Sequence, residues 1–332
     1  MFPIYAMTMG GGVAPGVAPT LTSVSTSGGA VGDIDGGYPA TLTGTGFTGA
    51  TLLSFGGTAV TIFTVVNATT ITCTVPAHAT GAVSVLVTTP GGTNTANTAF
   101  EYFSPAQLSL TEWHRGSYAS APWAANASAG ASSGRSAAAT GLDPTAGTAI
   151  NGKAPALFAR ASSQSLNAST ANNNLFSTGA GSFVGLVLMT SIPYRAGSDY
   201  GDGNLCGDPS NAETTFGVTN LGFSAAVYTA TGYKRADVAY GPGTTAWGCV
   251  QGGWDGTNVM ARVNGGTEVT TGSGAYKPTA SSTPKIGSSY GSGYLDGAIQ
   301  EWMTSDTYLS TATRNKIRAY MNTRYFPGGA QV

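Results

Sequence analysis

The chain has 332 residues, enough for two domains of ordinary size. Only 9% of them are charged, 41% are hydrophobic and 49 are glycine, a balance that favours short strands joined by small-residue turns and makes all-β the expected class. The formal net charge is −1 and the 14 basic residues form no run, which excludes the electrostatic footprint of a nucleic-acid binder or a polybasic membrane anchor.

The charges are unevenly placed. No Lys or Arg precedes Arg115, and between residues 19 and 103 the acids are Asp33, Asp35 and Glu101. Free β-sandwiches protect their sheet edges with Lys, Pro or bulges, so a first domain without Lys is expected either to use short polar strands or, the preferred reading, to have its edges covered by neighbours in a homo-oligomer or larger assembly, with Thr72 and Ser84 as outward positions. Cys73, Cys206 and Cys249 show no CxxC or Cys/His spacing and read as small buried thiols, not as zinc ligands or a disulfide framework. The start, Met1-Phe2-Pro3-Ile4-Tyr5-Ala6-Met7, has neither the basic n-region nor the apolar h-region of a secretory signal. No segment approaches the roughly eighteen consecutive apolar residues of a membrane span, so neither Sec export nor membrane insertion is expected.

In chain order, residues 1–18 carry Gly10-Gly11-Gly12 with Pro15 just beyond and Pro19 next to it, a composition that builds no core and reads as an extended arm. Short alternating runs punctuated by Gly pairs follow: Thr41–Phe47, Leu53–Gly57, Thr70–Pro76 and Val83–Val87. Ile71, Cys73 and Val75 share one face, as do Val83, Val85 and Val87, while Thr70, Thr72 and Thr74 fall on the other. The stretches Pro19-Thr20-Leu21-Thr22-Ser23-Val24, Gly44-Thr45-Gly46-Phe47, Ser54-Phe55-Gly56-Gly57, Ile71–Pro76 and Thr89-Pro90-Gly91-Gly92 through Phe100-Glu101-Tyr102 resemble an IPT/TIG domain. That resemblance implies an immunoglobulin-like sandwich over residues 19–103. Thr26-Ser27-Gly28-Gly29 departs from the family's Pro-Ser-x-Gly turn.

Residues 104–332 make the second expected domain. Trp113, Tyr118 and Trp123 are too many large aromatics for a linker, since each buries on the order of 150–250 Å². Strands are expected at Ser182–Met189, Phe216–Val218, Leu221–Tyr228 and Ala246–Gly252, and tight turns at Asp255-Gly256 and Asn264-Gly265, whose dipeptides supply positive φ. The ladder Trp247–Gly266, followed by Pro284-Lys285-Ile286-Gly287 and Tyr294–Trp302, resembles the concanavalin A-like lectin/glucanase fold in its laminin G-like branch, which implies a jelly-roll sandwich. One helix is expected near the C-terminus: Ser310 or Thr311 caps it, Ile317, Tyr320, Met321 and Tyr325 recur at helical spacing, and Pro327-Gly328-Gly329 ends it. Its Arg314, Lys316, Arg318 and Arg324 are expected on a solvated face.

Chemistry is sparse. Relatives of the lectin fold that hydrolyse glycans carry paired carboxylates in a pattern such as Glu-x-Asp-x-x-Glu. That pattern is missing, and Glu301 and Asp306 lie five apart, on opposite faces of a strand. With His78 and His114 alone and no Gly-x-Ser-x-Gly, a serine or cysteine hydrolase lacks its base, so no catalytic residue is assigned and a non-enzyme is expected. The loop holding Asp199, Asp202, Asn204 and Asp208 gathers hard oxygen ligands, and laminin G-like relatives often bind calcium, so these four are the calcium candidates beside a turn-capping alternative. Tyr290 and Tyr294, with Trp254, are the sugar-stacking candidates. By analogy with virion proteins that combine these two modules, the expectation is a phage virion surface protein, a head decoration or fibre subunit or a tail-associated adhesin. It is made in the host cytoplasm and contacts other virion proteins and a host-surface glycan. The alternatives are a secreted bacterial carbohydrate-binding adhesin and a glycan depolymerase with acids from distant strands.

Overall fold

Alternation of small polar and branched apolar residues builds strands almost throughout. A computed structural model describes residues 16–115, 123–124, 136–139, 144–158, 166–167, 180–189, 203–207, 214–219, 222–229, 232–240, 246–272, 285–289, 293–328 and 332. The chain is all-β, with a single α-helix among the described residues, and divides into two compact units, Met1–Tyr102 and Phe103–Val332. Among the described residues no helix is long and apolar enough to cross a membrane.

The strands of the first unit are β1 (Thr20–Ser25), β2 (Val31–Asp33), β3 (Pro39–Thr45), β4 (Leu52–Phe55), β5 (Thr58–Ala59), β6 (Phe63–Asn67), β7 (Thr70–Thr74), β8 (Gly81–Val83), β9 (Val85–Thr89), β10 (Gly92–Thr93) and β11 (Phe100–Phe103). One layer has the order β1-β3-β7-β6; the other joins β10-β9-β4-β5 to β2-β11-β8 through the run Gly81–Thr89, which breaks only at Ser84. Leu42, Ile71 and Val75 from the first layer pack on Leu53, Phe55, Val85, Val87 and Phe100 from the second, while Thr72 stays exposed, as period two requires. Ser84 is half-buried, because its hydroxyl accepts from the Asn97 N–H at 3.0 Å.

Two asparagines stand in for a missing strand beside β9. Asn94 Oδ1 accepts from the Val87 N–H at 2.6 Å and Asn97 Oδ1 from the Val85 N–H at 3.0 Å, while both Nδ2 groups donate to the Val85 carbonyl, at 3.1 and 2.9 Å. Backbone groups at this edge thus meet the requirement for partners without a ladder. The Tyr102 hydroxyl donates to the Pro76 carbonyl at 2.8 Å and its ring stacks on His78 at 5.0 Å, so His78 is a half-buried packing residue. Burial pushes the Cys73 thiol up to about 12, as expected of an inert buried thiol.

In the second unit the strands are β12 (Glu112–His114), β13 (Trp123–Ala124), β14 (Ser136–Ala139), β15 (Thr145–Ala146), β16 (Ala156–Phe158), β17 (Leu166–Asn167), β18 (Gly181–Met189), β19 (Gly203–Gly207) and β20 (Thr214–Thr219). They continue as β21 (Gly222–Thr229), β22 (Gly232–Val238), β23 (Gly248–Trp254), β24 (Asn258–Val263), β25 (Val269–Gly272), β26 (Lys285–Ile286), β27 (Ser288–Ser289), β28 (Gly293–Tyr294) and β29 (Gly297–Ser305), and the helix α1 (Thr311–Tyr325) closes the fold. The first sheet runs β15-β16-β29-β18-β23-β24-β25 with β12 beside β29; the second runs β13-β14-β17-β26-β19-β20-β21-β22. Between them lies one core that includes Phe158, Phe183, Phe216, Phe223, Val250, Trp254 and Trp302.

Helix α1 covers the other face of the first sheet. Ser310 caps it, its hydroxyl accepting from the Thr313 N–H at 3.2 Å. Gln251 on β23 donates to the Arg314 carbonyl at 3.5 Å, and Arg262 on β24 donates to Asn315 Oδ1 at 2.8 Å. The strands beneath are therefore buried on both faces, and every residue of β23 and β29 is buried. A bulge at Gln300, between the pairs Leu186↔Glu301 and Val187↔Ile299, turns both Ile299 and Trp302 into the core while Glu301 faces the helix. Arg314, expected on a solvated face, is fully buried instead: its guanidinium pairs with Glu268 and lies over the Tyr308 ring at 4.9 Å. The two turns form as their dipeptides demand, with Asn264 and Gly265 at φ 50° and 70°, and with Asp255 Oδ1 accepting from the Thr257 and Asn258 N–H groups at 2.8 and 2.6 Å.

Gly252 sits where the two sheets approach closely, since a Cβ there would lie 2.4 Å from the Phe216 ring, itself stacked on Phe183 at 4.9 Å. Gly252→Ala is expected to destabilise the unit by about 1–3 kcal/mol through overpacking, read as a lowered Tm; an unchanged Tm would show that the ring has room to move.

Candidate functional site

The outward face of the second sheet is assembled from residues far apart in sequence. Register carries one row across it: Ala138↔Asn167↔Lys285↔Gly207↔Thr215↔Ala226↔Arg235. The next row is Asn204↔Gly217↔Ser224↔Asp237. Both rows lie opposite the core, because Phe216, Ala225, Ala236 and Ile286 on the same strands point into it. The middle of this face is small: Gly217, Ser224 and Ala226 are buried between larger neighbours. At its β22 margin Arg235 Nε donates to Asp237 Oδ2 at 2.8 Å, with the two side chains 29% and 25% exposed. The second carboxylate oxygen, Oδ1, is buried in the structure without a hydrogen-bond partner.

A cation, a carboxylate with a spare acceptor and a serine hydroxyl on one polar sheet face form a hydrogen-bonding set of mixed sense. The sequence carried a signal for it that the reading overlooked: in Tyr233-Lys234-Arg235-Ala236-Asp237, Arg235 and Asp237 are two apart and share a strand face.

The sugar candidates fare differently from one another. Trp254 is fully buried in the core between the sheets, so it offers no face to a sugar, and this assignment is corrected. Its position at the inward end of β23, two residues beyond Gly252, explains the burial. Tyr290 lies outside the described residues, and Tyr294 is on β28, paired with Ser288. Of the calcium candidates, Asp199, Asp202 and Asp208 lie outside the described residues, while Asn204 occupies β19 in the row of Ser224 and Asp237. Among the described residues no three His, Cys, Asp or Glu side chains gather as a metal site would require.

Glu301, the acid singled out on β29, is sequestered. Its Oε1 accepts from Trp113 Nε1 at 2.6 Å and from the Tyr320 hydroxyl at 3.2 Å, and its Oε2 accepts from the Tyr325 hydroxyl at 2.7 Å. Burial raises its pKa above the ordinary carboxylate value, outweighing these donors and the nearby Arg324 and Arg115 charges. Three elements, β12, β29 and α1, meet on this one carboxyl group, which makes it a structural staple. His114 is likewise internal, stacked on Trp302 at 4.6 Å.

The described geometry is that of a two-unit β-sandwich protein. Residues 19–102 match the family model of the IPT/TIG domain, in agreement with the resemblance read from the strand motifs. No characterised protein matches the chain in sequence. Similar solved structures include the binding domain of botulinum neurotoxin DC in complex with rat synaptotagmin II, at 11% identity and a TM-score of 0.45, covering 63% of this chain and 51% of that one. Another is the carbohydrate-binding module of a Ruminococcus gnavus sialidase bound to α2,3-sialyllactose, at 15% identity and a TM-score of 0.33, covering 42% and 82%. A third is domain 4 of an extracellular arabinanase of Geobacillus stearothermophilus with arabinotriose, at 11% identity and a TM-score of 0.35, covering 64% and 98%. The chain thus spans about half the length of the neurotoxin domain. These likenesses are distant and carry no ligand over to this chain.

Because folding raises the Glu301 pKa, the folded state holds that proton more tightly than the unfolded chain. Its influence therefore lowers stability as pH rises from the unfolded carboxyl's pKa, about 4.3, through the folded value. Glu301→Gln, neutral at every pH, is expected to flatten the part of the Tm profile that falls as pH rises above about 4.3. Glu301→Ala strands the Trp113 and Tyr325 donors and is expected to cost about 2–4 kcal/mol. A Glu301→Gln profile parallel to the wild type would show that the carboxyl does not titrate in this range.

Proposed function

We propose that the chain is a non-enzymatic surface protein whose second unit recognises a glycan through the outward face of its second sheet. The observation that carries this reading is the Arg235–Asp237 ion pair, whose side chains are 29% and 25% exposed at the β22 margin of this face. Neighbouring sugar hydroxyls each donate and accept. They fit a row in which a carboxylate accepts, a guanidinium donates and a hydroxyl does either. The sequestration of Glu301 supports a binding role over a hydrolytic one, since the acid on the central strand is committed to the fold.

The IPT/TIG-matching unit serves as the attachment or spacer module of this surface protein, and the particle we propose is a phage virion. Support comes from the lack of any Lys or Arg in that unit, which suits a module packed among neighbours. Finding the gene among capsid and tail genes supports the virion; finding it beside a dedicated exporter favours the secreted adhesin.

Glycan arrays probed with the full chain test the recognition face. Arg235→Ala and Asp237→Ala are each expected to lower glycan binding by about tenfold or more, with stability changed by no more than about 1 kcal/mol, because a half-exposed ion pair contributes little to folding. The double variant Tyr290→Ala/Tyr294→Ala is expected to lose binding at constant Tm if these rings form the stacking platform. Binding untouched by every one of these changes removes the face from the model, and release of reducing ends from host polysaccharide would establish the depolymerase.

A further inference from the structure

Edge β6 of the first unit has what a symmetric strand pairing requires, and this goes beyond glycan recognition. The sheet order ends at β6. Thr74 N donates to the Ile62 carbonyl at 3.1 Å, so Ile62 and Thr74 are a hydrogen-bonded pair and, by alternation, Thr64 and Thr72 are another. The backbone N–H and C=O of Phe63 and Val65 therefore point away from β7, to the open side. On the outward face of the same strand, Ile62 is 68% exposed and Val66 56%. No charged residue occurs from Asp35 to Glu101, so nothing at this edge opposes a second strand.

Other edges of the unit are shorter or occupied: Asn94 and Asn97 lie along the side of β9, and β5 and β10 are two residues long. The bulge on β6 falls after Val65 and leaves Phe63–Val65 straight.

We infer that β6 pairs antiparallel with β6 of a second copy of this chain about a two-fold axis at Thr64. In that register Phe63 meets Val65 of the other copy, so the outward backbone groups bond to one another. Ile62 meets Val66 of the other copy, so the exposed apolar side chains cover each other twice, as an isologous contact demands. The two Thr64 residues face each other as a non-hydrogen-bonded pair, whose Cα atoms lie about 4.5 Å apart and within disulfide reach if replaced by Cys.

The test uses the full chain. Sedimentation at tens of micromolar should give a dimer. Thr64→Lys, at an exposed position that leaves the Tm unchanged, should weaken association by about tenfold or more, because it sets two like charges face to face. Thr64→Cys should form a covalent dimer on mild oxidation, while Thr22→Cys, exposed on the opposite edge β1, and the wild type should not. A wild-type monomer, a dimer that Thr64→Lys leaves intact, or a Thr64→Cys chain that cross-links no faster than Thr22→Cys overturns the inference. So does a wild-type monomer that joins a larger particle only while Thr64 is uncharged, an outcome that assigns the edge to a foreign strand. Asp237 plays no part in this contact, so the loss of glycan binding and the loss of the dimer are separate results.

Discussion

The second unit depends on the covering of one sheet face by helix α1. Where strands lie between the core and the helix, as β23 and β29 do, they have no wet side, and the polar groups they carry are costly unless partnered inside the protein. Glu301 gathers Trp113, Tyr320 and Tyr325; Gln251 reaches the Arg314 carbonyl; Arg262 reaches Asn315. Arg314 itself, under the same constraint, pairs with Glu268 and lies over Tyr308. The polar groups that look like surface decoration or chemistry in the sequence are thereby taken up in joining helix to sheet.

On the outward face of the second sheet Arg235, Asp237 and Ser224 come together through register alone. Along β19 to β22 the partners are close in sequence, but the first row reaches Lys285 and Asn167 only because β19 and β26 lie beside one another. A local reading of the chain cannot supply that neighbour relation.

Legibility followed this division. Where one face of a strand is wet, as in β3 and β7, alternation read directly as sandwich strand, and the IPT/TIG-like motifs lie in that region. The turns at Asp255-Gly256 and Asn264-Gly265 and the Ser310 cap were readable because local chemistry dictates them. Where both faces are dry the period vanishes: Gly248–Trp254 is buried throughout, and nothing in its pattern told that Trp254 enters the core while Gln251 meets a helix. Arg314 was misplaced for the same reason, since helical spacing gives a residue's angle but not the width of the surface that the helix covers.

In the first unit the governing limit is the sheet edge, not the sheet face. Two layers of short strands leave several edges, and a unit without Lys cannot use its usual deterrent there. Asn94 and Asn97 show the substitute: side-chain amides carry a donor and an acceptor in the same arrangement as a peptide, and they fill the positions a neighbouring strand would take beside β9. Closing one edge with two amides while leaving Ile62 and Val66 exposed at another distinguishes the two. A unit without Lys thus seals the side of β9 from within, by side-chain amides in place of charge.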